Sequence, residues 1–304
     1  MPRLDPAAQR LAFFVSGIDP KSGRRRGPFG SGVFIWRDWE KTPQRQHVYA
    51  VTNYHVAIPN NATIINSIRG NGGHSEIEIN FDDWQYDVAG DDLAIVDITD
   101  LLKPDDWVDL VVSPYNKLVS RQFASEYELG MGEDVFMVGL LASHGGEPVG
   151  RFGNLAALPD EKAPVMQGHE RARPSFLIDM RSRGGFSGSP VMVYRTQAGD
   201  LSHMIYQKSR PLPRHTDMNK FLRLLGIHSA QFPEEAKVSS AEAAEAAEAS
   251  GDPLREGGKI HIPSGMTVVV PAWRIADLMN NSYFEKIRIA REAGIDMHSS
   301  KTPA

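Results

Sequence analysis

From residue 11 onward the chain is cut into short runs. They alternate apolar with polar side chains and stop at Gly, Pro, Asn or Asp. Successive side chains of a strand point to opposite faces, so a period of two marks a strand with one face buried. Residues 11–15, 32–36, 47–52, 75–81, 93–98 and 109–112 fit that pattern and are rich in Val, Ile, Phe and Tyr. The second half continues with 134–139, 175–180, 190–194, 224–228 and 266–270. Many short strands with few helical stretches predict an all-β sandwich or barrel.

One helix is predicted, over residues 272–293. Apolar Ile275, Leu278, Met279, Phe284, Ile287 and Ile289 alternate there with charges, and Pro271 stands just before it. Two segments break the strand pattern. Residues 239–250 read SSAEAAEAAEAS, where Glu242, Glu245 and Glu248 would repel on one helical face, so a mobile acidic loop or a weak helix is expected. Residues 196–219 are polar and contain Pro211 and Pro213, which predicts a long surface loop. A frayed tail is expected after Gly294.

Composition limits the function classes. The 304 residues fit one large domain or two small ones, and 41% hydrophobic with 23% charged residues is ordinary for a folded globular chain. Thirty-eight acidic residues against 33 basic ones give a net charge of −5, so no nucleic-acid partner is expected. Arg24, Arg25 and Arg26 read as a solvated hairpin tip. With no cysteine, disulfides, thiolate chemistry and cysteine-ligated metals are excluded. The polar start lacks a signal-peptide pattern, and no run of about 18 apolar residues exists to span a bilayer. A cytoplasmic protein without membrane association is the expectation.

Three segments carry chemistry. In Gly184-Gly185-Phe186-Ser187-Gly188-Ser189-Pro190, glycines flank a serine. A serine nucleophile needs a tight turn that presents its Oγ and free backbone N–H groups aimed at the developing oxyanion. Gly185 and Ser187 would donate those two N–H groups, and removing one such donor typically costs about 3–4 kcal/mol of barrier. In Val51-Thr52-Asn53-Tyr54-His55-Val56, a strand ends at a histidine that can take a serine proton near neutral pH. In Asp91-Asp92-Leu93-Ala94-Ile95-Val96, an aspartate enters an apolar strand, where it can be buried and orient the histidine. Each segment taken alone also has a structural reading: a glycine-rich turn, a structural histidine, a turn residue at a strand end.

Together, and in the order His, Asp, Ser, these segments resemble the chymotrypsin-like, or trypsin-like, serine peptidases, and more closely their cysteine-free bacterial branch. Gly30-Ser31-Gly32-Val33-Phe34-Ile35 is similar to the family's leading Gly-Ser-Gly strand. Tyr54 departs from the small residue usual before the histidine, and Ser189 replaces a common glycine. Gly226-Ile227-His228-Ser229 resembles the strand that lines the specificity pocket, and by that match Ser229 would hydrogen-bond the triad acid. Asp91 is the rival for that acid; the family register favours Asp92, because Leu93-Ala94 follows it directly. The resemblance covers roughly residues 10 to 280.

The resemblance implies two six-stranded Greek-key β-barrels with a C-terminal α-helix. Residues 1–118 would form the barrel carrying His55 and Asp92. Residues 119–271 would form the barrel carrying Ser187, with a low-complexity acidic insertion at 232–264, and residues 272–304 the helix and tail. It implies a serine endopeptidase with a His55–Asp92–Ser187 triad, an acyl-enzyme intermediate and a protein or peptide substrate. No metal and no other cofactor is expected, and a regulatory partner is left unidentified. Phe186 stands where digestive members carry an aspartate, so activation by N-terminal processing is not expected. Arg181, Ser182, His228 and Gln231 take the specificity-pocket positions. No aspartate marks the slot floor, and Ser182 with His228 matches the pair that glutamyl endopeptidases use for a carboxylate, which implies a preference for an acidic residue before the cut. The alternative is a catalytically silent pseudo-peptidase that binds protein. An α/β-hydrolase is excluded by its Ser, Asp, His order.

Overall fold

The structure, a computed structural model, describes residues 4–140, 147–168, 171–181, 185–195, 221–237 and 259–294. The loop expected at 196–219, the acidic stretch at 239–250 and the tail after Gly294 lie outside the described residues.

The first half builds one sheet from β1 (Ala12–Ile18), β2 (Arg25–Asp38), β3 (Gln46–Thr52), β4 (Ile64–Ile68), β5 (His74–Glu78), β6 (Ala94–Asp97) and the two-residue β7 (Ser113–Pro114). Its hydrogen-bonded path runs β5-β4-β1-β2-β3-β6, and β7 pairs parallel to β2. Helix α1 (Tyr54–Ala57) follows β3, and α2 (Pro104–Asp109) and α3 (Arg121–Glu126) link toward the second half. There β8 (Asp134–Leu140), β9 (Pro148–Ala157), β12 (Phe176–Asp179), β13 (Pro190–Tyr194), β14 (Arg223–Lys237) and β15 (Lys259–Pro271) close into a six-stranded barrel. Two short strands, β10 (Val165–Gln167) and β11 (Arg171–Arg173), form a separate ribbon. Helices α4 (Ala272–Met279) and α5 (Ser282–Glu292) end the described chain. A closed six-stranded barrel, a second sheet of seven strands and a helical C-terminus agree with the all-β two-barrel plan expected from the sequence.

Several strands are apolar on both faces because each face meets a different core. On β3, Val48 and Ala50 pack with Phe13, Phe34 and Ile65 inside the first sheet, while Tyr49 and Val51 face Ile227, Val270, Ile275 and Phe284. On β8, Val135 and Met137 pack inside the second barrel with Phe176, Phe186 and Val269, while Phe136 and Val138 join that middle layer. The period of two therefore sorts apolar residues between an inner core and the layer between the sheets, rather than between core and water.

Local chemistry accounts for the differences from expectation. The single helix predicted over 272–293 is two helices, because the Asn281 side chain accepts from the Phe284 N–H at 3.0 Å and starts α5 afresh. Residues 109–112 are not a strand: Pro104 starts α2, and the Asp106 carboxylate accepts from the Lys103 N–H at 3.0 Å, fixing a helix that runs to Asp109. Strands β4 and β9 were not anticipated from the pattern. In β4 the polar Asn66 is buried and its side-chain N–H donates to the Ser16 hydroxyl at 3.1 Å, which removes the apolar signal from the middle of the strand. Arg25 and Arg26 lie in β2, paired with Ile18 and Gly17, and the hairpin turn itself is at Asp19 to Gly23.

Candidate active site

β3 delivers the histidine. It ends at Thr52, Asn53 turns the chain with an extended backbone, and His55 sits in the short helix α1. The acid arrives just before β6, where Asp92 is 2% exposed. The Asn53 side chain donates to the Asp92 carbonyl at 2.9 Å, which ties the two segments together.

Asp92 is surrounded by donors. Its Oδ2 lies 2.7 Å from His55 Nδ1 and accepts from the Ser229 hydroxyl at 2.6 Å, and its Oδ1 accepts from the His55 N–H at 3.0 Å. Burial alone would raise this carboxyl, but the hydrogen bonds and charge of His55 and the Ser229 hydroxyl outweigh it and hold it below the ordinary carboxylate range. An ionised Asp92 makes His55 Nδ1 the protonated nitrogen, so Nε2 is the nitrogen that carries the lone pair. The rival, Asp91, is committed elsewhere: Arg274 of α4 reaches it at 2.9 Å.

Ser187 lies between Gly185, with φ of 101°, and Gly188, with φ of 84°. At Gly188 a Cβ would stand 1.9 Å from the Ser31 carbonyl, so only glycine fits. Across the interface, Ser31 donates its N–H to the Ser187 carbonyl at 2.7 Å, and its hydroxyl donates to the Gly185 carbonyl at 3.1 Å. A Cβ on Gly30 would lie 2.8 Å from the Ser187 carbonyl and 2.7 Å from Val56, the residue after His55. The serine turn and the histidine helix thus meet at the thickness of one glycine. Among the described residues, neither the Gly185 N–H nor the Ser187 N–H has a backbone carbonyl as acceptor. Phe186 is fully buried in the second-barrel core, where it anchors the turn.

The four pocket positions are dispersed in character. Ser182, like Gly184, lies outside the described residues. Arg181 is exposed and Gln231 half-buried. His228 is 3% exposed, its backbone bonded to Gly188 and Ser189 behind the serine turn. Burial, followed by the nearby His55, pushes the His228 ring down to about 3, so it is neutral. Sequence reasoning missed Gln167, whose side-chain carbonyl accepts from the Asp92 N–H at 2.8 Å, and Gly168, whose N–H donates to the Ser229 hydroxyl at 2.8 Å. It also missed the hydroxyl contact of Ser31, although the Gly-Ser-Gly match pointed to that segment.

Among the described residues no three His, Asp or Glu side chains gather as a metal-ligand group, and no helix is long and apolar enough to cross a membrane. No protein-family model matches the chain, and no curated protein matches it by sequence. Solved structures do match. The chain is similar to the MamO protease domain from Magnetospirillum magneticum in its apo form, at 14% identity over 91% of this chain and 100% of that one, with a TM-score of 0.51. It is similar to Deg5 at 14% identity over 74% of this chain and 81% of that one, with a TM-score of 0.42. It is similar to the HtrA-type protease AlgW with a tripeptide at 15% identity over 92% and 62%, with a TM-score of 0.49. The likeness to the MamO domain carries the fold, which is the chymotrypsin-like fold of trypsin-like serine protease domains.

Proposed function

We propose that this chain is a serine endopeptidase that works through Ser187, His55 and Asp92. The observation that carries the reading is the coordination of Asp92: one buried carboxylate receives His55 Nδ1, the His55 N–H and the Ser229 hydroxyl at 2.6–3.0 Å. A turn residue at a strand end has no need of three convergent donors. The same arrangement fixes the imidazole so that Nε2, the nitrogen facing away from Asp92, can act as general base.

In this reading His55 Nε2 takes the Ser187 hydroxyl proton as Oγ attacks the scissile carbonyl. The Gly185 and Ser187 N–H groups receive the oxyanion, and His55 returns the proton to the leaving amine. Water then attacks the acyl-enzyme by the same steps and releases Ser187. The second part of the proposal is a preference for an acidic residue before the cut. The exposed Arg181 guanidinium supplies the fixed charge, while His228, kept unprotonated by burial, supplies none and backs the serine turn.

The test is reaction with a fluorophosphonate probe, followed by peptide mapping, with peptide cleavage measured in parallel. Label on Ser187 of the wild type, absent from Ser187→Ala, is expected. Asp92→Asn and His55→Ala should each lose on the order of 10³-fold or more in turnover, without adding, because the three groups act as a unit. A folded wild type that neither labels nor cleaves would instead favour a protein-binding module on the same fold.

A further inference from the structure

The ribbon β10–β11 belongs to no barrel, yet its end lies against the acid of the site. Gln167, the last residue of β10, is 1% exposed. Its Oε1 accepts from the Asp92 N–H at 2.8 Å, and its Nε2 donates to Asp91 Oδ1 at 3.0 Å and to the Ser175 hydroxyl at 2.9 Å. The orientation of the amide is dictated by its partners: an N–H must meet a carbonyl oxygen, and a carboxylate must meet an NH₂. The next residue, Gly168, has φ of 56°, and its N–H donates to the Ser229 hydroxyl at 2.8 Å. Accepting that bond leaves the Ser229 proton directed at Asp92 Oδ2, 2.6 Å away. A Cβ on Gly168 would stand 3.3 Å from Asp92 Oδ2 and 3.4 Å from His55 Nδ1.

The ribbon is strapped to the same loop from outside. Arg171 donates to the Asp91 carbonyl at 2.9 Å and to the Asp87 carbonyl at 3.2 Å, and its guanidinium sits 4.1 Å from the centre of the Tyr54 ring, next to His55. Arg173 donates to the Gly90 and Ala89 carbonyls. Five residues of the acid loop or its neighbours are thereby held by a ribbon from the other half of the chain.

We propose that Gln167 is a positioning residue for Asp92, and that it acts with the Gly168 N–H to hold the carboxylate and its Ser229 partner in register with His55. This rests on the triad reading given above. The side-chain amide bridges Asp91 and Asp92, so it sets the peptide plane from which the Asp92 carboxylate projects. Without it, the buried Asp92 N–H loses its acceptor and the loop is free to rotate the carboxylate away from Nδ1. A displacement of about 1 Å at a triad member is enough to cost on the order of 10²-fold in rate.

Two readouts test the proposal in parallel. The first is the low-field proton resonance of His55 Nδ1–H, recorded in a Ser187→Ala background, where it reports the His55–Asp92 bond whether or not the protein cleaves anything. The second is kcat and KM on a peptide substrate. Gln167→Met is expected to broaden or abolish the low-field proton and to lower kcat by 10-fold or more, with KM within about twofold. A second pair guards against a variant that does not fold. Gln167→Glu alone sets two carboxylates against each other, whereas Gln167→Glu with Asp91→Asn restores a donor facing an acceptor and keeps the acceptor for the Asp92 N–H. The double variant should regain the proton signal that Gln167→Glu loses. An unchanged low-field proton in Gln167→Met, or no recovery in the double variant, overturns the positioning role. If the wild type neither labels nor cleaves while the proton still responds to Gln167, the peptidase reading falls and the positioning of Asp92 stands.

Discussion

Ser31 and Gly185 come from opposite halves of the chain, and the Ser31 hydroxyl donates to the Gly185 carbonyl at 3.1 Å while accepting from the Leu140 N–H at 2.9 Å. One fully buried hydroxyl therefore couples the first sheet, the first strand of the second barrel and the turn that carries Ser187. Because Gly185 has φ of 101°, its peptide has rotational freedom that other residues lack, and the Ser31 contact is what selects its orientation. The orientation matters because the neighbouring N–H groups are those assigned to the oxyanion.

Ser31→Ala should affect turnover and stability separately. The Leu140 N–H loses its acceptor in a buried place, which costs about 1–3 kcal/mol of stability. The Gly185 carbonyl is released, so the rate of Ser187 labelling should fall several-fold at saturating probe, with little change in probe affinity. Denaturant melts and labelling kinetics on the same preparation check both. A labelling rate equal to wild type would show that the turn holds its shape without Ser31.

Acid sensitivity follows from two buried imidazoles. Burial holds His47 below its ordinary value, with Glu292 pulling it up and the Arg291 charge pushing it down, and burial with the His55 charge puts His228 at about 3. Both rings are neutral in the fold, whereas in the unfolded chain they take a proton near pH 6.5. Below that value the unfolded state binds more protons, so stability is fully present above pH 6.5 and is lost as pH falls toward the folded values. Each site can remove at most about 1.4 kcal/mol per pH unit in that window. Asp92 adds a separate loss lower down: held below the ordinary carboxylate range, it contributes stability present above about pH 4 and lost as pH falls through its folded value. Urea midpoints of Ser187→Ala should change little between pH 7.5 and 6.5 and fall between pH 6.5 and 5.5, and adding His47→Gln should reduce that fall. A midpoint independent of pH over this range would mean that both rings accept protons without leaving their sites.

What the sequence made legible is what depends on neighbours along the chain. Ser187 stands out because glycines flank it, and the family resemblance picks Asp92 because Leu93 and Ala94 follow it into a buried strand. Five of the six strands of the second barrel could be read as short apolar runs, which is how a strand buried on both faces appears in sequence, whereas β9 could not. Gln167 could not be found this way. It lies 75 positions from Asp92 in a polar stretch, and no spacing rule marks a glutamine that reaches a peptide N–H of another segment. The same holds for Glu292 and Arg291, which meet His47 from the far end of the chain. Residues 109–112 misled for the opposite reason: local β propensity was overridden by the capped helix that precedes them.

Substrate preference tests the least local part of the proposal. A carboxylate entering a partly covered slot needs a compensating charge or donors. His228 cannot supply charge near neutral pH, because its ring stays unprotonated down to about pH 3, and at 3% exposure it offers little surface to a ligand. Arg181 is exposed, so its attraction for a carboxylate is screened by salt. The two residues therefore predict different behaviour. In a matched peptide set varying only the residue before the scissile bond, Glu and Asp peptides should be cut faster than Leu or Ala peptides, with the difference in kcat/KM shrinking as salt rises. Arg181→Ala should remove most of that preference and most of its salt dependence. His228→Ala should lower cleavage of all peptides alike, because it disturbs the strand that holds Gly188 and Ser189. A preference that survives Arg181→Ala but disappears in His228→Ala would transfer the role to the neutral donor. If Glu and Asp peptides are cut no faster than the apolar ones, the acidic preference is wrong while the serine mechanism is untouched.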